Sequence, residues 1–227
     1  MIALAGCGSA AAVRTQPLAG STGSIDQVTT VAKARYAEET RGGKVRGLAR
    51  QIASDPGVSR PLRAGDMRAL RAYVRGRFRS VWYHQHVSRL RILHLSRIEV
   101  DAGVPFVVAP AKQALRDSSG RTIGTVEVSI QDVIGFVRYM HRNYPVHVVA
   151  RGRGAKHVRA SLPAALAVKL PDRGTATVGG RRYQVRSFMQ TALGGEPVRI
   201  SILQPCRDTR LSGHPLRRRA KTPGPPG

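Results

Sequence analysis

Residues 123–149, IGTVEVSIQDVIGFVRYMHRNYPVHVV, read as strand, helix and strand with almost nothing between them. Val126, Val128 and Ile130 alternate with Thr125, Glu127 and Ser129, the period of two that a half-buried strand requires. Asp132 then stands where a helix N-cap belongs, because its carboxylate can accept the free N–H groups of the first turn. Val133, Phe136, Val137 and Met140 follow at helical spacing. Pro145 closes the helix, and Val146, Val148 and Val149 begin a new strand. No other segment points so directly to a fold, and none points with similar force to a reaction.

On the N-terminal side, residues 24–54 predict helix. Ile25, Val28, Ala32 and Tyr36 share a face, Gly42-Gly43 interrupts, and Val45, Leu48, Ala49 and Ile52 resume the pattern. Asp55-Pro56-Gly57 reads as a stop. A second helix starts at Asp66 with Met67, Leu70, Val74 and Phe78 inward, and Arg68, Arg71, Arg75 and Arg79 on a solvated face. From Val87 the period changes to two. Leu90 and Ile92, a turn near Ser96-Arg97, and Ile98 and Val100 predict a hairpin, followed by an apolar run at 106–108 and a loop through 117–120. On the C-terminal side come a basic, glycine-containing turn at 151–159 and a short helix with Ser161 as cap and Pro163 in its first turn. A hairpin around Gly179-Gly180 and a strand with Val198, Ile200 and Ile202 inward complete the pattern. From residue 205 the chain is rich in Pro, Gly and Arg without apolar period, and reads as a disordered basic tail. The fold class is α+β, with long N-terminal helices preceding one antiparallel sheet.

The length of 227 residues predicts one domain plus tails. Residues 1–23 read as a truncated signal segment and flexible tether, 24–204 as a domain (24–86 helical, 87–204 the sheet part), and 205–227 as the tail. With 41% hydrophobic but only 5% aromatic residues, the core is aliphatic. The net charge of +25 is spread out: residues 24–98 hold 16 basic against 5 acidic side chains, and residues 99–205 hold 15 against 7. There are 32 Arg against 6 Lys, a bias that GC-rich codons account for. A polyanion-binding surface, for anionic lipid, cell-wall polymer or nucleic acid, is the alternative, with nucleic acid the least expected partner. No apolar run reaches the roughly 18 residues that span a bilayer. Two cysteines, Cys7 and Cys206, exclude a disulfide framework and a cysteine-based zinc cluster.

Leu4-Ala5-Gly6-Cys7 matches the bacterial lipobox, in which small residues precede a cysteine that receives a diacylglyceryl group. The small, polar residues after Cys7 suit a tether. Six residues precede Cys7 and none is Lys or Arg, whereas a signal peptide needs a basic start and about 7–15 apolar residues. Lipidation of Cys7 is therefore expected together with a start upstream of Met1; a chance match and a cytoplasmic protein are the alternative.

The order of elements resembles a single Cache domain, the PAS-like extracytoplasmic sensing module of bacteria. The resemblance is carried by VSRLRILHLSRIEVDAGVPFVVAP (87–110), TIGTVEVSIQDVIGFVRYMHR (122–142), RRYQVRSFMQT (181–191) and EPVRISILQP (196–205). It implies a PAS-like antiparallel sheet and a non-catalytic role: binding an extracellular small molecule in a pocket on one face of that sheet, without a cofactor. Arg91, Tyr139, Tyr183 and Arg186 are the candidate ligand-binding residues. Most such domains continue into a membrane helix and an output module, neither of which this sequence contains, so a lipid-anchored protein with a separate signalling partner is expected.

Other constellations carry less. His84-Gln85-His86 would place two imidazoles on one face of a strand, but no carboxylate or thiol lies close by to complete a metal site. Arg79, Trp82 and Tyr83 invite comparison with the Arg/aromatic cluster that holds amino acids in some Cache domains; their spacing departs from it, and Trp82 reads as a plug between helices and sheet. Tyr183 and Arg186 have odd spacing and fall on opposite faces of their strand. Gly152-Arg153-Gly154 lacks the strand-to-helix setting of a phosphate loop. No catalytic residue is assigned: there is no Gly-x-Ser-x-Gly, close carboxylate pair or Cys/His dyad, and Cys206 falls in the tail.

Overall fold

A computed structural model describes residues 23–206. Cys7, the tether and the tail beyond Cys206 lie outside the described residues. The described residues begin with four helices. Ser24 and Gln27 form a capping box on α1 (Ile25–Arg41), and Gly42 separates α1 from α2 (Gly43–Ala53). Asp55-Pro56-Gly57 ends α2, as expected, but also starts a helix that the sequence reading missed, α3 (Pro56–Ala64). Asp55 caps it and Pro56 takes the first position, where its lack of an N–H costs nothing. Gly57 is required because a Cβ there would lie 2.1 Å from Cζ of Tyr73. Helix α4 (Met67–Arg77) is capped by Asp66 and runs into a π-helical turn (Phe78–Trp82) that carries the buried Trp82.

Nine strands follow, in two antiparallel sheets where one was expected. β1 (Arg89–His94), β2 (Arg97–Gly103), β3 (Ala111–Arg116) and β4 (Thr122–Ser129) form the first, in the order β2-β1-β4-β3. Helix α5 (Val133–Asn143) intervenes. β5 (His147–Arg151), β6 (Val158–Ala160), β7 (Arg173–Val178), β8 (Arg181–Thr191) and β9 (Pro197–Pro205) form the second, in the order β6-β5-β9-β8-β7. The strand–helix–strand of residues 123–149 is therefore a bridge, because β4 pairs with β1 and β5 pairs with β9. Both sheets wind alike: the first strand lies inside, its hairpin partner on one flank and the last strand on the other.

The helices divide between the sheets. α2, α3 and α4 cover one face of the first, where Leu90, Ile92, Val126 and Val128 meet Ile52, Leu70, Val74 and Trp82. α1 and α5 cover the inner face of the second, where Val148, Ala150, Ile200 and Ile202 meet Tyr36, Phe136 and Met140. Residues 106–108 join the halves. They are buried, and their backbone is tied on both sides: Val108 N–H donates to Gln131 O at 3.1 Å, Val133 N–H to Phe106 O at 3.1 Å, and Leu193 N–H to Val107 O at 3.4 Å. Tyr36 OH adds a bond from α1 to Thr191 O at 2.7 Å. Burial pushes that phenol up to about 12, so it stays a neutral donor.

Three local expectations change. Residues 111–116, AKQALR, lie in the stretch read as loop but form β3; their helix-forming composition yields to pairing with β4. Ser161 does not cap the short 3-10 helix (Pro163–Ala167); its hydroxyl accepts Val148 N–H at 2.9 Å. The last strand includes Pro205, and Cys206 N–H still donates to Arg182 O at 3.0 Å, so neither belongs to the tail.

Asp132 is the cap that the sequence suggested: its carboxylate accepts Gly135 N–H. Asp132→Ala is expected to lower the unfolding free energy by ~1 kcal/mol, with Asp132→Asn retaining most of it. Urea unfolding measures this; an unchanged midpoint for the alanine variant contradicts the assignment.

Candidate ligand site

The four residues expected to bind ligand do not converge. Arg91 lies on the face of the first sheet opposite the helices, in a row of alternating charge across all four strands: Asp101, Arg91, Glu127 and Lys112. Arg91 Nε is 2.9 Å from Asp101, and Lys112 Nζ is 2.8 Å from Glu127. Arg89 also bonds Asp101, at 2.7 Å. Asp101 is partly desolvated, which alone would raise its pKa, but the two guanidiniums prevail and hold it below the usual carboxylate value. Tyr139 is an exposed α5 residue with the Arg35 guanidinium over its ring, 4.6 Å from the centroid. Arg186 faces α1 and bonds Asp26 at 2.7 Å. Tyr183 is buried on the opposite, outer face of the second sheet, as the odd spacing required. His84 and His86 are exposed in a turn, not paired on a strand. Trp82 is core and Tyr83 is exposed.

One concave region lies on the outer face of the second sheet, and it is smaller than a groove of about 560 Å³ beside α5. Residues 161–172 leave β6 and cross this face to β7 as a roof, burying Ala165 and Leu170 against Val149, Val185 and Leu203. Where the roof stands off, a pocket of about 310 Å³ remains, lined by Arg151, Leu166, Val168, Lys169, Arg199 and Ser201 among others. Strand register builds its floor. Arg151 on β5 lies directly opposite Arg199 on β9, and Arg199 opposite Met189 on β8. One row further, Ser201 faces Ser187, and their hydroxyls are 2.8 Å apart.

Both guanidiniums also hold the roof. Arg151 Nη2 donates to the carbonyls of Ala165 at 2.9 Å and Leu166 at 2.8 Å. Arg199 Nη2 donates to Leu170 O at 2.8 Å and lies 2.9 Å from the Asp172 carboxylate. Arg199 Nε is buried and makes no hydrogen bond. These residues were missed although a signal existed. In VRISIL (198–203), the alternation that turns Val198, Ile200 and Ile202 inward turns Arg199 and Ser201 to the other face. Arg151 ends the HVVAR strand in the same phase as Val149. A second concavity, between α5 and the edge strand β6, is lined by Ile134, Val137, Arg138, Arg142 and Arg159 among others.

No protein-family model matches the chain, and no curated protein matches it. Solved structures do. The periplasmic domain of LuxQ from Vibrio cholerae superimposes with a TM-score of 0.51 at 11% identity, covering 80% of this chain and 99% of that one. Its selenomethionine form gives 0.50 at 11% identity, over 80% and 98%. The fold is PAS-like. At this identity the likeness concerns the architecture alone: N-terminal helices followed by antiparallel sheets.

His147 closes the far end of the outer face. Its ring lies 5.8 Å from that of Tyr183 and 4.7 Å from that of His141, and its Nδ1 is buried without a partner. Burial first, then the charges of His141 and Arg181, hold its pKa below the ordinary 6.5. The unfolded chain takes up this proton as pH falls through 6.5, while the folded chain resists it. The contribution to stability is therefore complete above that pH and is lost as pH falls through the lowered folded value. Urea midpoints should fall more for the wild type than for His147→Gln between about pH 7.5 and about pH 5. Equal slopes contradict the assignment.

Proposed function

We propose that this chain is a non-catalytic small-molecule sensing module that works outside the cytoplasm and is tethered to a membrane through Cys7. The observation that carries the binding role is the roofed pocket on the outer face of the second sheet. Its volume, about 310 Å³, lies at the lower end of small-molecule sites. Its lining offers cations, apolar walls and a hydroxyl, with no base beside that hydroxyl, a set suited to holding a ligand. The PAS-like fold and the periplasmic setting of the LuxQ domain support the extracytoplasmic reading.

The same contacts suggest how occupancy reaches a separate signalling partner. The roof leads into β7, whose Arg173 lies 3.9 Å from Asp26, and Arg186 on β8 lies 2.7 Å from the same carboxylate. Asp26 is in the first turn of α1, next to the tether. A ligand that shifts the roof thus acts on the strand pair that grips α1 near the membrane end.

A thermal-shift screen of small organic molecules is expected to find ligands for the wild type that Ser201→Phe, which fills the pocket, no longer binds. Ligands indifferent to Ser201→Phe overturn the location. Palmitate labelling of the protein expressed with its upstream sequence is expected to vanish in Cys7→Ser; persistent label overturns the tether.

A further inference from the structure

We propose that the pocket takes a small organic anion with an apolar body, its charged group held between Arg151 and Arg199 and its body against Leu166 and Met189. This rests on the outer-face pocket being the ligand site, and it adds the chemical class of the ligand.

Strand register concentrates positive charge in the pocket. Like charges directly opposed on neighbouring strands destabilise a sheet, and Arg151 and Arg199 are such a pair. The carboxylate beside them is Asp172, whose side chain is 85% exposed, and Lys169 adds a third cation. The pocket therefore carries an excess of positive charge next to apolar walls, where screening is weaker than in open water. Both guanidiniums use Nη2 on the roof, which leaves Nη1 of each as a further donor. An oxyanion has the two or more oxygens that a guanidinium edge binds best.

The apolar argument comes from the rim. Leu166 is 41% exposed and Met189 is 59% exposed, two of the large apolar side chains left in water. Both border the Arg pair, Leu166 from the roof and Met189 as the cross-strand neighbour of Arg199. A cation is repelled here. A neutral molecule leaves the positive charge in excess of Asp172 uncompensated, and an inorganic anion leaves the rim exposed. The volume limits the body to a short chain or a single ring. Carboxylate and phosphate headgroups share the required chemistry, and the test separates them.

Isothermal titration calorimetry at low salt would compare hexanoate, hexyl phosphate, 1-hexanol, hexylamine and inorganic phosphate. Hexanoate or hexyl phosphate is expected to bind at least about tenfold tighter than any of the other three, and the tighter of the two identifies the headgroup. Arg199→Gln and Arg151→Gln should each weaken that binding about tenfold or more, the scale of one charge-assisted hydrogen bond. Arg199→Lys, which keeps the charge, should weaken it less, and Met189→Ser should weaken the hexyl compounds but not inorganic phosphate. Circular dichroism of each variant verifies folding. Tighter binding of hexanol or hexylamine that Ser201→Phe abolishes leaves the pocket standing and overturns the anion. Inorganic phosphate binding as tightly as hexanoate overturns the apolar body. Anion binding unaffected by both Ser201→Phe and Arg199→Gln overturns the pocket itself, and an absence of binding by every probe overturns the proposed ligand class.

Discussion

Residues 106–108 are buried, and their backbone is hydrogen-bonded on one side to the β4–α5 connection and on the other to the turn that precedes β9. A buried backbone polar group must find a partner, so this short segment can exist only if both sheets present their connections to it at once. The side chains of Phe106 and Val108 belong to the core of the second sheet, with Phe106 stacked on His157 at 4.9 Å between ring centroids. Its backbone is also tied to the first, since Ser129 Oγ donates to Val108 O at 2.9 Å. The two sheets are coupled through this seam, and the placement of α1, α5 and the roofed face follows from it.

Once the seam is set, the surfaces available for a ligand are few, and apart from the groove between α5 and β6 they are the faces of the two sheets. The first sheet has helices on one face and, on the other, a row of paired charges that occupies Arg91. The inner face of the second sheet is filled by α1 and α5. Its outer face is covered only in part: Tyr183, Val149 and Leu203 pack under the roof at one end, and at the other the roof is held off the sheet by the side chains of Arg151 and Arg199, which leaves the pocket beside them. The arrangement that leaves a cavity also ties it to the roof, because the two arginines that floor the pocket bind the roof's carbonyls.

Local features of this fold were legible in the sequence wherever the cause is local. Asp132 as a cap, the helical face of Val133, Phe136, Val137 and Met140, and the Gly179-Gly180 turn, with φ of 56° and 76°, depend on neighbours a few residues away. The number of sheets was not legible. Period two shows that residues 123–130 and 146–149 are strands, but not that each pairs with a different partner. Asp55-Pro56-Gly57 ends one helix and starts the next, and a stop signal does not distinguish these. The pocket was not legible for the same reason. Arg151 and Arg199 become neighbours only through the pairing of β5 with β9, while Tyr139 and Arg186, which look available in the chain, are engaged by Arg35 and Asp26.

If the outer face of the second sheet receives the ligand, amide-resolved NMR of the wild-type chain titrated with a small organic anion such as hexanoate will locate it there. The largest shifts are expected at residues 149–151, 165–172 and 199–201, with residues 89–129 of the first sheet nearly unmoved. Shifts centred on the first sheet, or on the interface of α1 with α5, would contradict that location.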